Sequence, residues 1–251
     1  MALNFSIYCG GEKLEREELV NVETPRATSS HVPVPHSDYI DMIEDAFRTV
    51  GLAFGEQAHA VAREGKQYFG MAEVVGDIAK NSKWATVAGF RGSHDKSLAR
   101  ELVIGDQVFV CDNLCFFGEI KFGRKHTTNI MRDLPDLIHG AVAQIKSRSE
   151  DQAVRYERYQ VARLKDSVVN HTIIQMLRQG VINTQRVEKV VNEYYEPSHV
   201  EHLNDDGERT IWTLHNAVTE SLKGIGPNSL PRRTIQLQDL LDKATDYALA
   251  A

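Results

Sequence analysis

The chain has 251 residues, 42% of them hydrophobic and 25% charged, which are ordinary values for a globular protein. They exclude a chain disordered throughout and a collagen-like one. A formal net charge of −6 argues against a uniformly basic nucleic-acid coat protein.

The three cysteines, Cys9, Cys111 and Cys115, are too few for a disulfide framework and fit a reducing, cytoplasmic setting. The first residues carry no basic segment followed by an apolar one, so a secretory leader is not expected. No window reaches about eighteen uninterrupted apolar residues, so no membrane span is expected either.

In chain order, a strand is expected from Leu3 to Cys9, closed by Gly10 and Gly11. Residues 1–36 read as an extended N-terminal arm, with three prolines in 24–36. Tyr39, Ile40, Ile43, Phe47 and Val50 recur at helical spacing behind Ser37 and Asp38, predicting a helix over 37–50 capped by Gly51. Residues 55–123, approximately, read as an antiparallel sheet. Its strands are Ala58 to Arg63, Gln67 to Val75 after a Glu64-Gly65-Lys66 turn, Trp84 to Arg91, and Asp106 to Phe117, with 118–123 continuing it.

Residues 133–179 keep helical spacing as one long helix or two in series, ended by Gly180. Shorter helices follow at 185–195, 212–222 and 235–250. The fold class is therefore α+β: the arm (1–36), an α+β core (37–132) and a helical region (133–251) as one continuous domain.

Charge is unevenly spread. Residues 121–165 hold ten Lys/Arg against five acids, a local +5, which leaves −11 to the rest of the chain. A basic stretch in an acidic chain is a phosphate-binding stripe, the complement of an acidic neighbour in an oligomer, or a solvated helix face laced with ion pairs.

Four clusters carry polar chemistry. The first is Arg91-Gly92-Ser93-His94-Asp95-Lys96-Ser97. Adjacent Ser, His and Asp cannot by themselves form a relay. On a loop Gly92 and the hydroxyl residues can hold an anion through backbone N–H groups, with Arg91 and Lys96 adding charge. His94 and Asp95 can bind a metal, and the structural alternative is a turn whose Ser93 and Asp95 cap a helix at 96–102. The second is Cys111-Asp112-Asn113-Leu114-Cys115, in which strand spacing puts Cys111 and Asn113 on one face. It has no second cysteine pair for zinc.

The third cluster is Lys121 to Asn129, a basic loop with His126, Thr127 and Thr128 ahead of the long helix, which suits phosphate. The fourth, Trp212 to Glu220, puts Asn216 and Glu220 on one helical face. No phosphate loop, dinucleotide fingerprint or metalloprotease motif is present, so no cofactor and no metal are expected.

The order of Arg91-x-Ser93-His94-Asp95, Val110-Cys111-x-Asn113, His126-Thr127 and Trp212-x-x-x-Asn216-Ala217-Val218-Thr219-Glu220 resembles the phage/plasmid-like proteins of domain-of-unknown-function family 932. The similarity runs over about residues 37–222. The sequence departs from the family at Cys115 and in the lysine-rich 121–125 segment. The resemblance implies a mobile-element protein in the cytoplasm of a bacterial host and carries no assigned activity or catalytic residue.

The leading expectation is a DNA-handling protein that binds or anneals single-stranded DNA as a homo-oligomer. Its contacts would be Arg91, Lys96, Lys121, Arg124, Lys125, Lys146, Arg148 and Arg155. One alternative is a counter-defence protein that binds a host protein. Another is an enzyme using Ser93, His94, Asp95, Cys111 and His126.

Overall fold

A computed structural model of the chain describes residues 7, 10–78, 84–108 and 114–250. The chain divides into two compact units. The sheet unit comprises Met1–Lys80, Ala85–Gly105 and Gly118–Ser149; the helical unit comprises Asn81–Trp84, Asp106–Phe117 and Glu150–Ala251.

The sheet unit is built on a six-stranded antiparallel sheet whose strands lie side by side in chain order. They are β1 (Glu12–Leu14), β2 (Leu52–Ala62), β3 (Gln67–Gly76), β4 (Trp84–Ser93), β5 (Arg100–Val108) and β6 (Leu114–Arg124). The fold class expected from the sequence is borne out. The hairpin at 64–66 is where the turn chemistry put it, with Arg63, Glu64 and Gly65 all at positive φ (52°, 57° and 78°). The expected strand from Leu3 to Cys9 falls largely outside the described residues, and the first strand is Glu12–Leu14, paired with Val61, Ala60 and His59 of β2.

Register explains the composition of the sheet. Gly70 of β3 stands opposite Phe90 of β4, and a Cβ at residue 70 would run into the Phe90 ring. The absence of a side chain there lets Phe90 stack between Phe54, His59 and Tyr68 at centroid distances of 5.9, 6.1 and 6.2 Å. Helix α1 (His36–Thr49) buries Tyr39, Ile40, Ile43, Ala46 and Phe47, the face its spacing marked. It begins one residue earlier than expected, with Pro35 at the cap position and no side-chain cap. Phe47 meets Phe54 of β2 edge-on at 4.7 Å. Helix α2 (Ile130–Val142) packs beside α1.

Two local expectations fail. There is no helix at 96–102; a turn leads into β5 at Arg100. Burial decides this, since residues 102–107 are all buried, as in a strand covered on both faces, and cross-strand burial outweighs the modest helix propensity of Ala-Arg-Glu-Leu. The strand expected to start after Gly105 instead runs through it.

The segment expected as one or two helices is three: α2, α3 (Ile145–Val161) and α4 (Asp166–Arg178). The break after α3 contains neither Gly nor Pro. It is fixed by packing: Ala162 is buried, its carbonyl accepts from Ile211 N at 2.9 Å, and Lys165 is extended.

The helical unit adds α5 (Thr184–Tyr195), α6 (Ile211–Leu222) and α7 (Leu230–Ala250). Helix α6 is buried on every side except at Glu220, as a helix at the centre of a bundle must be. Trp212 packs with Trp84, Tyr156 and His215 at 5.9, 5.2 and 5.5 Å. A capping box closes the first turn of α6, with Thr210 Oγ1 accepting from Trp212 N (3.2 Å) and Thr210 N donating to Thr213 Oγ1 (3.1 Å). Among the described residues no helix is long and apolar enough to cross a membrane.

Candidate functional site

The N-terminal segment 26–36, expected as an arm, is threaded into the sheet unit. His31, Val34 and His36 are at most 5% exposed. The segment turns at Thr28–His31, where Thr28 N donates to His31 O at 2.8 Å. Its carbonyls and rings organise the two polar loops that follow β4 and β6.

His31 is the tie. Its Nδ1 faces His126 O and its Nε2 faces His94 O, both at 3.1 Å. Which of the two carbonyls receives the ring proton depends on the tautomer. The loop of the first sequence cluster and the loop of the third are thereby held to one buried side chain. Val34 O accepts from His94 Nε2 at 3.0 Å, and Val32 O accepts from His126 Nδ1 at 3.3 Å.

Behind them lies Arg100, fully buried. Its Nη2 donates to Val34 O and to His36 Nδ1 (2.9 Å). His36 must therefore carry its proton on Nε2, which donates to Gly65 O at 2.9 Å. The His36 ring stacks on His94 at 4.0 Å, nearly parallel to it, and the guanidinium lies over the Tyr39 ring at 4.8 Å. Gly92 makes room for it: a Cβ at residue 92 would sit 2.8 Å from Nη1 and 2.9 Å from Nε of Arg100.

Burial, reinforced by Arg100, pushes His36 down to about 2 and His126 to about 3. Burial lowers His94 too, and it lowers Arg100 itself to about 10. Tyr39 and Tyr68 are raised by burial and stay neutral.

The Ser93-His94-Asp95 run is not a relay. Ser93 Oγ bridges the backbone of Leu98, accepting from its N (2.8 Å) and donating to its O (3.1 Å). Against a burial cost, hydrogen bonds from Ser97 and Ser93 and the charge of Arg63 hold Asp95 below the usual carboxylate range. His94 points inward and spends its ring on Val34. Among the described residues no group of His, Cys, Asp and Glu is placed to hold a metal. Cys111 and Asn113 lie outside the described residues.

The eight basic candidates separate into classes. Arg91 pairs with Glu101 (2.8 Å), Arg124 with Asp133, Lys146 with Asp77 (2.7 Å) and Arg155 with Asp242 (3.2 Å). Arg148 is half-buried, and the side chain of Lys121 is outside those described. Lys96 and Lys125 are exposed and, among the described residues, form no ion pair. Both belong to the loops that His31 ties together. Thr127 follows His126 in its loop, and its Oγ1 is buried without a partner.

The fourth sequence cluster is the centre of the helical unit. Asn216 Nδ2 donates to Trp212 O at 2.9 Å, and Thr219 Oγ1 to His215 O at 3.0 Å. Glu220 meets Lys189 at 3.4 Å and Lys223 at 2.6 Å.

A family described as Domain of unknown function (DUF932) matches residues 27–245. The chain belongs to this family. The DUF932 match covers most of the chain and extends beyond the 37–222 over which the sequence motifs lie, taking in both His31 and α7. No curated protein and no solved structure matches the chain. Three DUF932-region residues of the buried cluster, His31, His36 and Arg100, were not singled out by sequence. The available signals were two histidines bracketing the alternating Val-Pro-Val-Pro run and a lone arginine opening an apolar strand.

Proposed function

We propose that this protein handles the DNA of a phage or plasmid, binding single-stranded DNA as a homo-oligomer. The backbone phosphates would be met by the paired loops 94–99 and 125–129. The supporting observation is that His31 ties the backbones of residues 94 and 126 at 3.1 Å each. Of the eight candidates, the two exposed cations that form no ion pair among the described residues, Lys96 and Lys125, stand two residues and one residue from those anchors. Lys96 also holds a left-handed backbone (φ 67°), which costs a non-glycine residue about 1 kcal/mol or more. The test is fluorescence anisotropy with a labelled oligothymidylate over a salt series. Binding should weaken with salt at a slope of about −0.7 per phosphate neutralised, and Lys96→Glu with Lys125→Glu should remove it. No binding at low salt, with or without divalent ions, refutes the proposal.

One observation favours a second reading, a counter-defence role against a basic host protein. An open cleft of about 370 Å³ is lined by Glu12, Glu18, Glu23 and Glu64. Recovery from host lysate of a stoichiometric partner that Glu12→Lys with Glu64→Lys releases would favour it over DNA.

A further inference from the structure

Arg100 is a fully buried charge whose donors are only partly used. A guanidinium has five N–H donors. Nη2 uses its two on Val34 O and His36 Nδ1. Nε and Nη1 have no partner, though Arg100 is fully buried, so three of the five donors are unspent. The neighbouring Glu101 is engaged by Arg91; Asp38 acts on Arg100 through its charge but takes its hydrogen bond from Ser37 Oγ at 3.1 Å, not from the guanidinium. The surrounding tyrosines and His36 are neutral. A buried ion left unpaired costs several kcal/mol, and protein interiors hold such ions only with a counter-charge.

We infer that the folded sheet unit encloses a small inorganic anion, held by the Nε and Nη1 donors of Arg100. The site is distinct from the exposed lysines of the paired loops. Its ligand is of the chloride or phosphate class, since an interior position against one guanidinium admits little more. The anion enters the native state and leaves on unfolding, so its concentration is linked to stability.

The experiment is urea unfolding at pH 7.5 and constant ionic strength, replacing sodium gluconate stepwise by sodium chloride and, separately, by sodium phosphate. Stability should rise with the logarithm of small-anion concentration and stay flat in gluconate. The small anion that acts at the lower concentration identifies the ligand. Arg100→Met should abolish the response and, in gluconate, be at least as stable as the parent. A parent response equal in gluconate, or a response that survives in Arg100→Met, overturns the inference. A second measurement needs no variant: the solvent-protected arginine Nε–H resonance should move on replacing gluconate with the active anion. A resonance that does not move overturns the inference as well.

Discussion

Acid should unfold this protein well before its carboxylates are protonated. Four histidines are held neutral by burial: His36 at about 2, His59 at about 4, His126 at about 3 and His215 at about 3. All four are at most 5% exposed. In the unfolded chain each returns to about 6.5. Between the folded and unfolded values the unfolded state binds the extra proton, so stability is complete above about pH 6.5 and falls as the pH drops below it. From pH 7.5 to 5.5 each ring costs about 1.4 kcal/mol. The three rings of the sheet unit together lose about 4 kcal/mol, and His215 in the helical unit loses about 1.4 kcal/mol. A total near 5–6 kcal/mol is comparable to the whole stability of many domains, about 5–15 kcal/mol. Urea unfolding at the two pH values measures it. Far-UV circular dichroism follows both units, and fluorescence of Trp84 and Trp212 follows the helical unit. Equal midpoints at pH 7.5 and 5.5 would refute the reasoning, because these rings would then already be protonated or solvated when folded.

His215→Leu should keep or raise stability at pH 7.5 and remove one ring's share of the acid sensitivity. Both His215 nitrogens lack partners inside a ring of Tyr156, Tyr159 and Trp212, so no hydrogen bond is lost; a drop of more than about 1 kcal/mol would contradict this. Gly92→Ala should cost about 1–3 kcal/mol by urea unfolding, since its methyl meets the Arg100 guanidinium. Wild-type stability in that variant would show that Arg100 does not lie across Gly92. Trp212→Ala should cost about 3–5 kcal/mol and broaden the unfolding transition, and Thr210→Ala, which loses the cap, should cost about 1 kcal/mol.

Elements with a clean period were legible in the sequence. The spacing of Tyr39, Ile40, Ile43 and Phe47 marked α1 within a residue, and the 64–66 turn marked the β2–β3 hairpin. Elements decided by distant neighbours were not. Residues 96–102 carry locally helical composition, yet β4 supplies a partner for an extended chain there. The break after α3 carries no breaker residue and depends on a carbonyl given to Ile211. The site was half visible for the same reason. Its two loops stood out as polar clusters, but the tie between them is a histidine 63 and 95 residues away. The local charge count in 121–165 could not show ion-pair partners that come from elsewhere in the chain, such as Asp77 for Lys146 and Asp242 for Arg155.

The division of the chain carries a consequence for heredity. The backbone leaves the sheet unit at Asn81–Trp84, returns, leaves again at Asp106–Phe117, and returns once more before settling in the helical unit from Glu150 onward. No single crossover between genes can separate the two units, because every cut leaves a piece of one attached to the other. A recombining genome must therefore pass them on as one cassette, and the family match running from 27 to 245 has the extent that such joint inheritance requires.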